Sequence, residues 1–415
     1  MTACMQHGVR PVLGANLAVG VLPEKSKTPA RGGASVDPRL SRVTLLARDG
    51  RGWASLCRLI SATHLAGERG VPVATLDLIA EHARGLVVLL GPDSDVGRAL
   101  ARRRPDVGRQ VLMHWCDVLL DAGLEAQDLV VEIVDHRGPQ DATRAAQLLA
   151  FARDVGVSTV LTNAVRGADR SDGPTLDVLD AARRLVALDP RHVDRVNAEA
   201  YLKSGKEMCD VAEEVVTRAG LPARAARDLL ASTRRLADRC ALDPRADLGI
   251  GEVHFPELLT DGGDPQAVLR ARCDAGLGRR GMALTTQVQQ RLDDELTVIG
   301  SLGYPTYFLT IADVVDLVKD MGVRCAARGS GAGSLVNYLL GISDVDPIEH
   351  RLLMERFLSP LRNALPDIDL DVESARRTEV YQHILDRYGG ERCTCVSMMD
   401  TYRARHAIRD TGAAL

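Results

Sequence analysis

The sequence predicts an α/β protein of two or more domains. Three observations carry that expectation. Short apolar runs alternate with helix-period stretches through the first half of the chain. A second strand-and-helix unit follows a Pro- and Gly-rich break. Near the end, that unit is punctuated by a glycine-rich loop and by a run of alternating acids.

Composition bounds the reading. A chain of 415 residues, 46% hydrophobic and 26% charged, can bury a large core. Its net charge of −4 gives no overall basic signature. Residues 301–415 carry 13 Lys and Arg against 16 Asp and Glu, so any nucleic-acid contact must be local. Arginine far outnumbers lysine, and its planar fork suits phosphate. Nine cysteines are scattered without a CxxC pair; the two closest, Cys393 and Cys395, lie in an apolar strand-like run. Reduced thiols and a cytoplasmic setting are expected. No run of about 18 apolar residues occurs, so neither a transmembrane helix nor a membrane partner is expected. Residues 1–5 lack the layout of a signal peptide.

Taken in order, residues 43–47, 86–90, 129–134 and 158–161 read as buried strands. Residues 53–64 and 143–155 read as helices between them, and this alternation predicts a largely parallel sheet. Residues 22–38 and 167–174 read as exposed loops. From 189 to 239 the chain is helical and rich in Arg and Ala, and 242–264 reads as a linker. Val288, Leu292 and Ile299 mark one helical face; Phe308, Ile311, Val315 and Val318 mark the next, which Gly322 stops. Residues 323–327 read as a strand, and the glycine loop opens a helix over 335–340.

That loop is Arg328-Gly329-Ser330-Gly331-Ala332-Gly333-Ser334. Strand, glycine loop and helix form an anion-binding arrangement. Glycines let backbone N–H groups approach the anion, and a helix N-terminus adds partial positive charge. Arg328 stands at the entrance as a bidentate clamp. A Walker A loop needs a lysine that is absent, and the dinucleotide fingerprint needs a third glycine where Ser334 stands. A tight strand-to-helix turn is the structural alternative.

Residues 366–371, Pro-Asp-Ile-Asp-Leu-Asp, alternate apolar and acidic side chains. As a strand they put Asp367, Asp369 and Asp371 on one face, with neighbouring acids roughly 6.6 Å apart along it. Like charges side by side cost free energy unless a cation neutralises them, and oxygen ligands suit Mg²⁺. A solvated acidic edge strand is the alternative. Arg356, Arg362 and the glycine loop nearby favour the cation, and together they point to phosphoryl or nucleotidyl transfer.

These strings carry a family resemblance. Residues 284–415 resemble the palm of C-family bacterial DNA polymerases, the α subunit of DNA polymerase III, above all its error-prone, damage-tolerant branch. The matching strings are Tyr307-Phe308-Leu309, Arg324 to Ser330, Ser334 to Tyr338, Glu355 to Leu358, Leu365 to Asp371, and His406 to Asp410. The resemblance implies a nucleotidyltransferase-like α/β palm. In it Arg328, Gly329, Ser330 and Arg356 bind the triphosphate, and Asp367 and Asp369 are catalytic ligands of Mg²⁺; the loop's own chemistry adds Gly331, Gly333 and Ser334 to the expected nucleotide-binding residues. Asp371 is acidic in the family but is not carried over as a ligand. Residues 1–235 resemble the family's PHP domain, a distorted α/β barrel that is incomplete here. Asn16 stands where a metal-binding Glu often sits, and Ala164 and Arg166 stand where an Asp and a His would follow Thr162-Asn163. The metal site is therefore expected to be degenerate, because neutral or cationic side chains cannot hold a hard cation. His64, His136 and His192 are read as ordinary barrel or surface histidines.

The expected organisation is the PHP-like domain over 1–235, a linker and the start of the palm over 236–283, the palm over 284–395, and the start of a further subdomain over 396–415. The resemblance implies DNA-templated DNA synthesis on a primer-template from dNTPs, in error-prone translesion repair. It places the third catalytic Asp, and the sliding-clamp and accessory-protein contacts, beyond Leu415. The chain is therefore expected to be a fragment that is inactive alone. The alternative is a non-catalytic nucleotide- or DNA-binding remnant of a decayed polymerase gene.

Overall fold

A computed structural model describes residues 2–21, 40–66, 72–189, 195–251, 256, 263–358, 367–389, 393 and 401–415. The chain divides into two compact units, Met1–Glu252 with Thr401–Leu415, and Val253–Asp400.

The first unit is built on a five-stranded sheet in the order β1-β2-β3-β4-β5. Its strands are β1 (Gly14–Val19), β2 (Ser41–Ala47), β3 (Leu86–Leu90), β4 (Leu129–Val134) and β5 (Thr159–Thr162). All four strands expected from the apolar runs are present, and β1 joins them. The sheet is mixed rather than largely parallel. β1 pairs β2 and β2 pairs β3 antiparallel, whereas β3, β4 and β5 run parallel. Alternation of strand and helix counts elements. It does not set the direction in which the chain re-enters the sheet.

Helices α1 (Thr2–Gln6), α2 (Gly50–Ala66), α3 (Leu76–Glu81), α4 (Asp95–Ala101), α5 (Pro105–Asp121), α6 (Asp141–Asp154), α7 (Gly173–Arg184), α8 (Gly205–Arg218) and α9 (Arg224–Arg239) complete the unit up to residue 251. Every residue of β3 is buried, which is why its sequence is continuously apolar instead of alternating. Its two faces enter different clusters. Leu86, Val88 and Leu90 pack with Trp115 of α5 and with Val211 and Val215 of α8. Val87 and Leu89 pack with Leu236 of α9 and Cys240. The loop expected at 167–174 contains a capped turn at Arg170–Asp172 and the first residues of α7. The loop expected at 22–38 and His192 lie outside the described residues.

Helix α15 (Ala404–Ala414) groups with the first unit, where it packs on α7, and Leu188 donates its N–H to the Ala414 carbonyl at 2.7 Å. The sequence reading had set 396–415 apart as a separate start. Only Ala414 of α15 is buried, so the helix carries almost no apolar signal of where it docks.

The second unit holds α10 (Pro265–Arg280), α11 (Thr286–Ser301), α12 (Pro305–Asp320), β6 (Cys325–Arg328), α13 (Leu335–Leu339), β7 (Asp369–Val372) and α14 (Arg377–Tyr388). The two apolar faces read from the sequence line one core: Val288, Leu292, Ile299, Phe308, Val315 and Val318 are all buried. Gly322, with φ of +68°, ends α12 in the left-handed conformation that favours glycine. β6 and β7 form a two-stranded antiparallel sheet. Asp367 precedes β7 rather than lying within it, and Cys395 is outside the described residues. No single described helix is long and apolar enough to cross a membrane.

Helix α10 crosses α13 at Gly276, where a Cβ would lie 2.3 Å from the Leu339 carbonyl oxygen. Gly276→Val therefore forces the two helices apart. It is expected to destabilise the second unit by about 1–3 kcal/mol. Both tryptophans, Trp53 and Trp115, lie in the first unit. The appropriate readout is the urea dependence of amide hydrogen exchange in α10 and α13, and an unchanged midpoint would contradict the close crossing.

Candidate functional site

The glycine loop forms because β6 is held on both sides. β7 pairs with it along one edge, and on the other Ala327 donates its N–H to the Ile342 carbonyl at 2.8 Å. Arg328 is still extended. Gly329, with φ of +71°, then turns the chain into a 3₁₀ turn over Gly329–Gly333, and Ser334 caps α13.

The sequence reading assigned the α13 N-terminus to a bound phosphate, and the structure corrects this. Glu295, from α11, already fills that position with its carboxylate. Its oxygens accept from the N–H groups of Leu335 at 3.0 Å and Val336 at 3.1 Å and from the Ser334 hydroxyl at 2.8 Å. The Glu295 side chain is wholly buried and paired at 2.7 Å with Nε of Arg291. Arg291 also donates to the carbonyls of Gly333 and Leu352 at 3.0 and 3.2 Å. The Ser334 hydroxyl accepts from the Asn337 N–H, and the Asn337 side-chain amide donates to the Gly331 carbonyl. Gly331, Gly333 and Ser334 are thus buried members of a brace. The exposed surface of the loop is Arg328, Gly329 and Ser330. The brace also reaches Cys273, whose thiol is pushed up to about 12 by burial and then by the Glu295 charge.

Glu295 was missed, yet it left a signal. Positions 288, 292, 295 and 299 fall at helical spacing on one face, so a carboxylate interrupts an apolar stripe. A charge on a core-facing stripe has to find partners inside the protein.

The β6–β7 register sets Arg328 opposite Asp369 and Ala326 opposite Asp371. Arg328 lies 3.4 Å from the Asp369 carboxylate through Nη2 and 3.1 Å from that of Asp371 through Nε. These side chains are 61%, 46% and 70% exposed, so each pair is worth only about 0–1 kcal/mol and exchanges readily. Ile368 is buried in the core, and its neighbours Asp367 and Asp369 flank it. The Ile368 N–H donates to the Tyr307 hydroxyl at 3.3 Å. The Tyr307 phenol is pushed up chiefly by burial, with a further contribution from the negative charges of Asp367 and Asp369. Both carboxylates therefore act on one hydroxyl.

Arg356 ends a short turn, Met354–Arg356, held by the buried Met354 and Phe357. Arg291 ties this segment to the glycine turn through Leu352. Arg362 lies outside the described residues. Asp369 lies across the ladder from Arg328, at the start of the glycine turn, and carboxylate oxygens of this kind suit a small divalent ion. Among the described residues, no group of three or more His, Cys, Asp or Glu is placed to hold a metal ion.

In the first unit, Asn16 accepts from Arg42 through both its side-chain and backbone carbonyls. Arg166 is bidentate to Asp180 at 3.0 Å for both bonds. His136 Nε2 lies 2.7 Å from the Asn163 carbonyl, and His64 is exposed.

Two family models match the chain. Residues 1–134 match the PHP domain, and residues 267–415 match the bacterial DNA polymerase III alpha NTPase domain. The chain is 34% identical over 389 residues to an error-prone DNA polymerase of Symbiobacterium thermophilum, covering 90% of this chain and 34% of that protein. It is 32% identical over 423 residues to the error-prone DNA polymerase of Mycobacterium bovis, covering 100% and 36%. With the DNA polymerase III subunit alpha of Escherichia coli it shares 30% over 422 residues, covering 98% and 34%. The chain is similar to these DNA polymerases over nearly its whole length and spans about a third of theirs.

Glu295→Ala takes the carboxylate away from Arg291 and leaves the Leu335 and Val336 N–H groups unpaired. It is expected to destabilise the second unit by about 3–5 kcal/mol. Ser334→Ala, which removes the cap and one donor to Glu295, should cost about 1–2 kcal/mol. Amide exchange at Leu335 and Val336 reports both changes. Protection unaltered in Glu295→Ala would remove the brace from the account.

Proposed function

We propose that this chain, a PHP domain followed by a polymerase III alpha NTPase domain, supplies the nucleotide- and metal-binding part of a site for DNA-templated DNA synthesis. The observation that carries the reading is the β6–β7 ladder. It sets Arg328 directly across from Asp369, two residues before the exposed Ser330.

In this reading the N–H groups of Gly329 and Ser330, together with Arg328 and Arg356, grip the triphosphate of an incoming dNTP. Asp367 and Asp369 hold Mg²⁺. When bound, Mg²⁺ neutralises the phosphate oxygens and lowers the pKa of the primer 3′-hydroxyl. Arg328 has two uses. Without nucleotide it neutralises Asp369 and Asp371. With nucleotide it moves to the phosphates and stabilises charge that develops as the primer oxygen bonds to the α-phosphorus and pyrophosphate leaves. Tyr307 holds the Ile368 N–H and so fixes the backbone between the two acids.

The relatives named error-prone DNA polymerases support error-prone synthesis; translesion repair in the cytoplasm is part of the same proposal. Primer-template DNA is the partner at this site, and a sliding clamp and accessory repair proteins would engage the wider protein. The alternative is a non-catalytic nucleotide-binding role.

Calorimetric titration of a dNTP with Mg²⁺ tests the reading. Arg328→Ala is expected to weaken binding by about 10- to 100-fold. Asp369→Ala, placed in a protein of the relatives' full length, should slow primer extension more than about a hundredfold. Near-normal extension would remove Asp369 from the metal site. Binding without extension in the full-length protein would select the non-catalytic role.

A further inference from the structure

Asp371 is the one acid of the 367–371 run that the polymerase reading leaves without a task. It lies on β7, two residues beyond Asp369, so the two side chains share a face of the strand. The β6–β7 register sets Asp371 opposite Ala326, whose methyl group offers it no charge. A cation reaches it from the diagonal neighbour instead. Arg328 brings Nε to 3.1 Å from the Asp371 carboxylate, while its Nη2 stays 3.4 Å from that of Asp369. Diagonal neighbours on paired strands lie within reach of a long side chain.

The direction of this contact matters. Asp371 faces Ala326, two residues before Arg328, whereas Ser330 lies two residues after it. Two residues of strand span roughly 6.6 Å. Asp371 therefore draws the guanidinium back along the ladder, away from the glycine turn. A phosphate seated on the N–H groups of Gly329 and Ser330 needs the same guanidinium to swing forward. One cation thus has two rival positions, and Asp371 favours the position without a ligand.

The rivalry is finely balanced because the groups are exposed. Arg328 and Asp371 both face solvent, so their pairing is weak and screened by salt. A triphosphate carries several negative charges and accepts the arginine fork bidentately, so it wins the guanidinium from a single carboxylate. Breaking the resting pair still subtracts from the affinity of whatever displaces it.

We propose that Asp371 is a positioning residue that acts through Arg328, parking the guanidinium away from the glycine turn in competition with a nucleoside triphosphate. Asp371 itself touches neither nucleotide nor metal. The proposal rests on the nucleotide-binding reading of Arg328 and adds the group that opposes it. Nucleotide affinity is held below what the turn and a free Arg328 would give, and it rises when the competitor is lost.

The test is a double-mutant cycle, read by calorimetric titration of the 415-residue chain with dATP in EDTA. Asp371→Asn should tighten binding by about two- to fivefold, the range of an exposed ion pair. Added salt should shrink the gain. In an Arg328→Ala background the same substitution should have little effect, because the parked cation is gone. Asp371→Glu keeps the charge and should bind like the wild type. Asp371 is exposed, so these variants keep their fold, and thermal melting checks this. A merely structural Asp371 would give weaker or unaltered binding in Asp371→Asn, and either result would overturn the proposal. Equal tightening with and without Arg328 would make Asp371 a plain repulsive charge and overturn it too, as would tightening in Asp371→Glu. In each of these cases the wild-type chain still binds dATP, so the nucleotide-binding role of the turn stands. No binding in EDTA by the wild type or by Asp371→Asn would also overturn the proposal. Binding restored by Mg²⁺ would then leave the turn's role intact, and its absence there would sink both.

Discussion

The glycine loop depends on one buried carboxylate. Glu295 neutralises the start of α13, takes the Ser334 hydroxyl, and is itself neutralised by Arg291, which reaches on to Gly333 and Leu352. A five-residue helix such as α13 has too few turns to stand alone. Tying its first N–H groups to a core helix makes the turn before it a fixed object. That frees Arg328, Gly329 and Ser330 to face outward from a rigid base. The cost is a charge in the core, and the hydrogen bonds around Glu295 offset it.

Arginine partners acidic or polar groups in both units. Arg328 spans Asp369 and Asp371, where like charges would otherwise repel along a strand. Arg42 sits against Asn16, and Arg166 against Asp180. The two cases differ in burial and so in consequence. The Arg328 pairs are exposed and cheap to exchange, which suits the move to a nucleotide proposed for it. Asp180 is largely buried and bidentate with Arg166, which suits a residue held in one pose.

Much of this was legible in the sequence. The strands β2 to β5, the helical faces of α11 and α12, and the stop at Gly322 follow from periodicity and glycine chemistry, because burial alone decides them. Strand direction in the first sheet was not legible. The anion-binding reading of α13 was misdirected for a definite reason. A glycine turn before a helix exposes N–H groups to any carboxylate, and the protein's own Glu295, 39 residues before Ser334, reached them first. Local pattern cannot reveal a long-range competitor, although the acid on an apolar stripe announced that one existed. The acidic run was legible as a constellation but not in its pairing, since the β6–β7 register that sets Arg328 against Asp369 is a tertiary fact.

The central claim is that Asp367 and Asp369 share a divalent ion with a triphosphate seated on Arg328, Gly329 and Ser330. Mn²⁺ is a paramagnetic substitute for Mg²⁺, and electron–nuclear double resonance of the chain with Mn²⁺ and a dNTP reads that geometry directly. The account predicts phosphorus coupling from directly bound phosphate oxygens, together with a protein-dependent change in the Mn²⁺ spectrum that Asp369→Ala abolishes. A spectrum identical to free Mn²⁺–dNTP, or one unchanged by Asp369→Ala, would contradict it.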